Sequence, residues 1–92
     1  MNRNKELTEL LGEPVSVNQD NKGYYIDFLN RNHGRCVCGM VSFLVDNHLS
    51  YIDTRRLAQE MGATYVEGGY LSFRTYKKLY TFWVVVQGKI FK

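Results

Sequence analysis

Apolar and polar positions alternate along this chain with two different periods, and those periods predict its elements. Leu7, Leu10 and Leu11 recur at helical spacing over residues 4–11, with Asn4 placed to cap the start and Gly12 to take a left-handed stop. Val15 and Val17 then alternate with polar residues. After the turn chemistry of Asn18–Gly23, Tyr24, Ile26 and Phe28 put a second apolar face on one side, which predicts a β-hairpin. Arg35–Val45 also alternates, with Val37, Val41, Phe43 and Val45 against Cys36, Cys38, Met40 and Leu44. Both faces are mostly apolar, as in a central strand covered on two sides. Ser50 and Asp53 fit a capping box for a helix through Met61, with Leu57, Ala58 and Met61 as its buried stripe and Gly62 as its stop. The Gly68-Gly69 pair suits a primed turn joining Thr64–Glu67 to Tyr70–Phe73. Thr75–Lys78 reads as a loop and Leu79–Gln87 as a β-branched, aromatic strand broken at Gly88. Ile90 and Phe91 follow as a short edge strand or a tucked tail.

The order is helix, three strands, helix, then two or three strands, joined by short links. Short links favour antiparallel neighbours, and amphipathic helices need a sheet face to cover. The expected fold is α+β: a mainly antiparallel sheet of five or six strands with two short helices packed on it. Ninety-two residues are expected to form one domain, 1–92, without linkers or repeats.

Charge sharpens this picture. Gly68–Lys92 holds five basic residues, seven aromatics and no carboxylate, whereas the preceding residues carry seven basic against nine acidic, so the net charge of +3 belongs to the C-terminal quarter. No apolar run approaches the roughly 20 residues of a membrane span. The polar N-terminus has no apolar stretch of signal-peptide type, and the closely spaced Cys36 and Cys38 suit reduced thiols, so a cytoplasmic location is expected.

Candidate chemistry is sparse. His33, Cys36, Cys38 and His48 comprise the residue types of a structural zinc site, but one residue between the cysteines is too few for the common knuckles. No metal ligand is therefore assigned, and a zinc-stapled domain stays an alternative. A thiol nucleophile would draw on the same cysteines and histidines with Asp27 or Asp46 behind, yet nothing marks either thiol as activated. The acids are scattered singly, and the glycines match no phosphate loop. No catalytic residue, cofactor or small-molecule substrate is expected, and an enzyme is the weakest class.

The basic and aromatic groups remain. Strand 79–87 is apolar on both faces, so most rings there belong to the core. The exposed candidates for binding are Arg74, Tyr76, Lys77 and Lys78 in the loop, and Tyr65 and Tyr70 beside the Gly-Gly turn. Lys89 and Lys92 lie at the end, with Arg55 and Arg56 extending the patch. Tyr and Arg are the residues that anchor protein interfaces. The expected function is a small non-enzymatic binding protein that docks on a larger protein or nucleoprotein complex, with no membrane partner. In size and style the chain resembles the small inhibitors that phages and other mobile elements encode, anti-CRISPR proteins among them. The likeness is not one of motif. The alternative is direct nucleic-acid binding, with phosphate contacts from the basic C-terminal segment. A solvated basic face without a ligand accounts for the same charges, and no helix-turn-helix, zinc-finger or RNP-type signature is present.

Overall fold

The computed structural model describes residues 2–31, 39–67 and 70–90. Helix α1 spans Arg3–Leu11 and begins earlier than Asn4 would have it: Asn2 Oδ1 accepts the Lys5 N–H at 3.1 Å. Asn4 is thereby released to take the Val17 N–H at 2.7 Å. Gly12, at φ 80°, ends the helix and donates to Thr8 O. Leu7 is fully buried.

The hairpin forms as its alternation predicts. Strands β1 (Val15–Asp20) and β2 (Gly23–Phe28) pair antiparallel, with Val15 opposite Phe28 and Asp20 opposite Gly23. Thr8 Oγ1 accepts the Val15 N–H at 3.1 Å, so α1 is fastened along the edge of β1 that faces away from β2.

Beyond the hairpin the expected large sheet is absent, and the architecture has four helices with two short two-stranded antiparallel sheets among the described residues. The central strand expected over 35–45 is corrected to helix α2, Met40–Asp46; residues 35–38 lie outside the described residues. Met40, Phe43 and Leu44 are buried at i, i+3 and i+4, a helical stripe. Helix α3 (Tyr51–Glu60) starts where its cap predicts, with Ser50 Oγ accepting the Asp53 N–H at 3.2 Å. Its buried residues are Thr54 and Ala58, while Leu57 and Met61 are partly buried.

Strands β3 (Tyr65–Glu67) and β4 (Tyr70–Ser72) pair antiparallel with Val66 opposite Leu71; Gly68 and Gly69 lie outside the described residues. Among the described residues, one isolated backbone bridge joins the first hairpin to the chain after β4. Tyr24 N–H donates to Phe73 O at 2.7 Å and Phe73 N–H to Tyr24 O at 2.9 Å.

The largest correction is at the C-terminus. The expected loop at 75–78, strand at 79–87 and break at Gly88 are one fifteen-residue helix, α4, Tyr76–Ile90. Thr75 caps it, its Oγ1 accepting the Lys78 N–H at 3.2 Å. Leu79, Phe82, Trp83 and Val86 are buried, whereas Val84 and Val85 face outward. Among the described residues, no helix is long and apolar enough to cross a membrane.

Candidate interaction surface

Three segments distant in sequence are brought together by the turn of the first hairpin. Gly23, at φ 120°, lies so close to the chain after β4 that a Cβ there would sit 2.2 Å from Phe73 O and 3.3 Å from Arg74 N. Thr64 Oγ1 donates to Lys22 O on the other side of the turn. This docking carries Lys22 to β3, where its Nζ lies 4.0 Å from the centre of the Tyr65 ring.

Helix α1 supplies the other cation. The Arg3 guanidinium lies 5.2 Å from the Tyr24 ring centre and 4.7 Å from that of Tyr76, so it bridges one ring of β2 and one of α4. Each such contact contributes about 0.5–1 kcal/mol at an exposed site. Tyr76 is also tied to α1, its hydroxyl donating to Glu6 Oε1.

Burial first, and the bond to Glu6 second, push the Tyr76 phenol above its ordinary value near 10. The folded state thus holds this proton more tightly than the unfolded chain. The associated stability is complete below about pH 10 and is lost as pH rises through and beyond that value. Tyr76→Phe is expected to cost about 1 kcal/mol at neutral pH. In thermal melts from neutral to strongly alkaline pH, the gap between wild type and variant should narrow above about pH 10; a constant gap would remove the Glu6 bond from the account.

Of the residues expected in the binding patch, Tyr65, Arg74, Tyr76 and Lys77 lie on or beside this surface. Arg74, Lys77 and Lys78 are exposed at the start of α4. Lys78 turns toward the end of α3, its Nζ lying 3.7 Å from the position a Cβ on Gly62 would take, where it complements the helix C-terminus. Tyr70 is placed by its backbone, opposite Glu67.

The other expected members do not join. Arg55 is half-buried and packs between elements, with its guanidinium 5.7 Å from the Tyr51 ring centre and Nη2 3.5 Å from Val66 O. Arg56 pairs with Asp53 at 3.6 Å and, with Lys89 and His48, lines a separate cleft of about 420 Å³ between α3 and the end of α4. Asp53 and Glu60 line the same cleft, so its charge is mixed. Lys92 lies outside the described residues, as do His33, Cys36 and Cys38 of the cysteine–histidine cluster. His48 is exposed in the turn after α2, at φ 59°. No group of three or more His, Cys, Asp or Glu side chains fit to hold a metal ion occurs among the described residues.

Sequence reasoning missed Arg3, Lys22 and Tyr24. Their signal was weak: a basic residue in the first turn of a helix, and a Lys-Gly-Tyr turn whose glycine needs a positive φ. It also missed Arg31, which has a structural use. Arg31 bonds Glu13 through Nε (2.9 Å) and Nη2 (2.7 Å), and Asp46 and Ser42 through Nη1. The bond to Glu13 foremost raises its pKa above the ordinary arginine value, against an opposing effect of burial. This cluster joins the end of α2 to the loop before β1 and withdraws one cation from the surface. By contrast, Arg3, Lys22, Arg74 and Lys77 have no ion-pair partner among the described residues. The chain matches no family model, no curated protein and no solved structure.

Proposed function

We propose that this chain is a small non-enzymatic binding protein that docks its cation–tyrosine surface on a larger, acidic partner, a protein or a protein–nucleic acid complex. One observation carries the reading: Arg3 of α1 and Lys22 of the first hairpin lie over Tyr24, Tyr76 and Tyr65, and neither they nor Arg74 and Lys77 at the start of α4 have an ion-pair partner among the described residues. Among the other described arginines, Arg31 and Arg56 pair with acids and Arg55 packs between elements. Arginine and tyrosine lose little conformational freedom on docking when they are already stacked, and they are enriched among residues that dominate interface energies. Unpaired cations on one side also speed encounter with a negative partner.

The experiment is affinity capture from the native host with the wild-type chain and with an Arg74→Glu/Lys77→Glu variant. An acidic residue at the start of α4 agrees with the helix dipole, so the variant should fold with little change in stability. Capture of the partner should fall at least about tenfold, as expected when rim charges are reversed against a complementary surface. Lys89→Glu, at the far end of α4, should capture as well as wild type. Equal capture by the double variant and wild type would remove this surface from function.

A further inference from the structure

Beside the cation–tyrosine surface runs a groove with its own chemistry. It lies between the start of α1 and the outer edge of β1, encloses about 590 Å³, and is lined in part by Asn2, Arg3, Asn18, Gln19 and Tyr24. Among the described residues, no carboxylate lines it. Its polar groups are neutral amides with one guanidinium, and its aromatic wall is the ring that Arg3 stacks against.

The strand register adds backbone groups to this list. Val15 and Val17 donate their N–H groups away from β2, to Thr8 and Asn4 of α1. Alternation along an antiparallel strand therefore turns the Gln19 N–H and C=O to the same outer edge. Helix α1 supplies Thr8 and Asn4 for the first two positions, and no described residue bonds the third. The Gln19 side chain is exposed and also makes no hydrogen bond among the described residues. Asn18 Nδ2 is committed to Ser16 O and Asp27 Oδ2, which fixes the amide in place.

A planar guanidinium held on tyrosine, adjacent amides, and an open backbone donor–acceptor pair are what an unstacked nucleobase requires. Bases stack on arginine and aromatic planes, and their edges are read by such donors and acceptors. A carboxylate would use the cation alone, whereas a base also uses the aromatic plane and the amide and backbone edges. We propose that this groove holds a base of single-stranded nucleic acid, with Arg3, Lys22 and Arg74 meeting the neighbouring phosphates. The base site depends on the docking reading for its flanking cations, and names the chemistry of the partner.

The test is fluorescence anisotropy of the full chain with labelled single strands of RNA and of DNA, each about 12 nucleotides long, and with the same sequence as duplex, since a site of this kind spans several nucleotides. Single strands of at least one sugar type should bind, and the tighter of the two identifies the polymer. Three phosphate contacts predict that affinity falls about 20-fold between about 50 and about 200 mM salt. Gln19→Glu and Arg3→Gln, both at exposed positions, should each weaken single-strand binding about tenfold without altering the circular dichroism spectrum. Lys89→Glu makes the same change in net charge as Gln19→Glu plus one unit and should bind within about twofold of wild type. Absence of single-strand binding at the lower salt would overturn the base site. So would duplex binding as tight as single-strand binding, or a Gln19→Glu variant that binds like wild type. Partner capture that needs Arg74 and Lys77, together with no oligonucleotide binding, would overturn the base site and leave the docking surface standing.

Discussion

Trp83→Ala is expected to destabilise the protein by about 3–5 kcal/mol, the range for deleting a large buried ring. The indole is 1% exposed and meets three other rings edge-on: Phe28 of β2 at 5.9 Å, Phe43 of α2 at 6.2 Å and Phe82 of α4 at 5.1 Å. Phe28 and Phe43 are themselves stacked at 4.6 Å. Its removal thus leaves a cavity shared by three elements, and those elements have only short sheets with which to hold one another. Total stability of roughly 5–15 kcal/mol is usual for a domain, so the loss is a large fraction of what is available. Trp83→Phe should be milder than Trp83→Ala, because it keeps one ring in place and leaves a smaller cavity. The indole Nε1 is buried without an acceptor among the described residues, and phenylalanine removes that donor as it removes volume. Denaturant titration followed by circular dichroism separates the two variants; a loss below about 1 kcal/mol for the alanine variant would move the centre of the core elsewhere.

The aromatic cluster also explains which elements could be read from the chain. Helix α1, the first hairpin and α3 have local signals that agree with their burial: leucines at helical spacing, a polar turn between alternating runs, and a serine cap. Helices α2 and α4 do not. Thr81, Val84, Val85 and Val86 favour strands locally, and a run that is apolar on both faces resembles a covered central strand. The decisive pattern was Leu79, Phe82, Trp83 and Val86, a helical stripe partly hidden because outward positions of the same helix are also valines. Helix propensity separates these residues from good formers by only a few tenths of a kcal/mol each. Burying four large side chains on one stripe contributes about 1.5–3 kcal/mol apiece, so packing outweighs the local preference. Met40, Phe43 and Leu44 settle α2 in the same way.

The surface was half legible for a related reason. The carboxylate-free C-terminal quarter drew attention to Arg74 and Tyr76; in the fold Tyr76 lies beneath Arg3, and the Arg74 backbone lies beside the Gly23 turn. Local reading could not separate Arg55, Arg56 and Lys89 from them. Their fate depends on neighbours such as Val66 and Asp53, and on which end of a fifteen-residue helix they occupy. Nor could it supply Arg3, Lys22 and Tyr24, which reach the surface through the Tyr24–Phe73 bridge between residues nearly fifty positions apart.

That bridge makes Gly23→Ala the second large effect, expected to cost about 3 kcal/mol through lost hydrogen bonds and backbone strain together. The methyl group would meet Phe73 O at 2.2 Å and Phe73 C at 2.7 Å, both backbone atoms that cannot swing aside as a side chain can. Relief requires the turn to lift away from β4, which breaks both bonds between Tyr24 and Phe73. The φ of 120° adds strain for any residue with a Cβ. Gly12→Ala provides the comparison: its φ of 80° carries the same kind of strain, but a Cβ there meets nothing within 4 Å. It should cost only about 1–2 kcal/mol, the price of the left-handed conformation alone. The two variants should also differ in function. Gly12→Ala leaves the turn docked, whereas Gly23→Ala moves Lys22 from Tyr65 and Tyr24 from Arg3, so partner capture should fall in the folded fraction of the second variant only. Equal melting temperatures for the two would mean that the hairpin turn is not fastened to the chain after β4, and that the cation–tyrosine surface is not a single rigid unit.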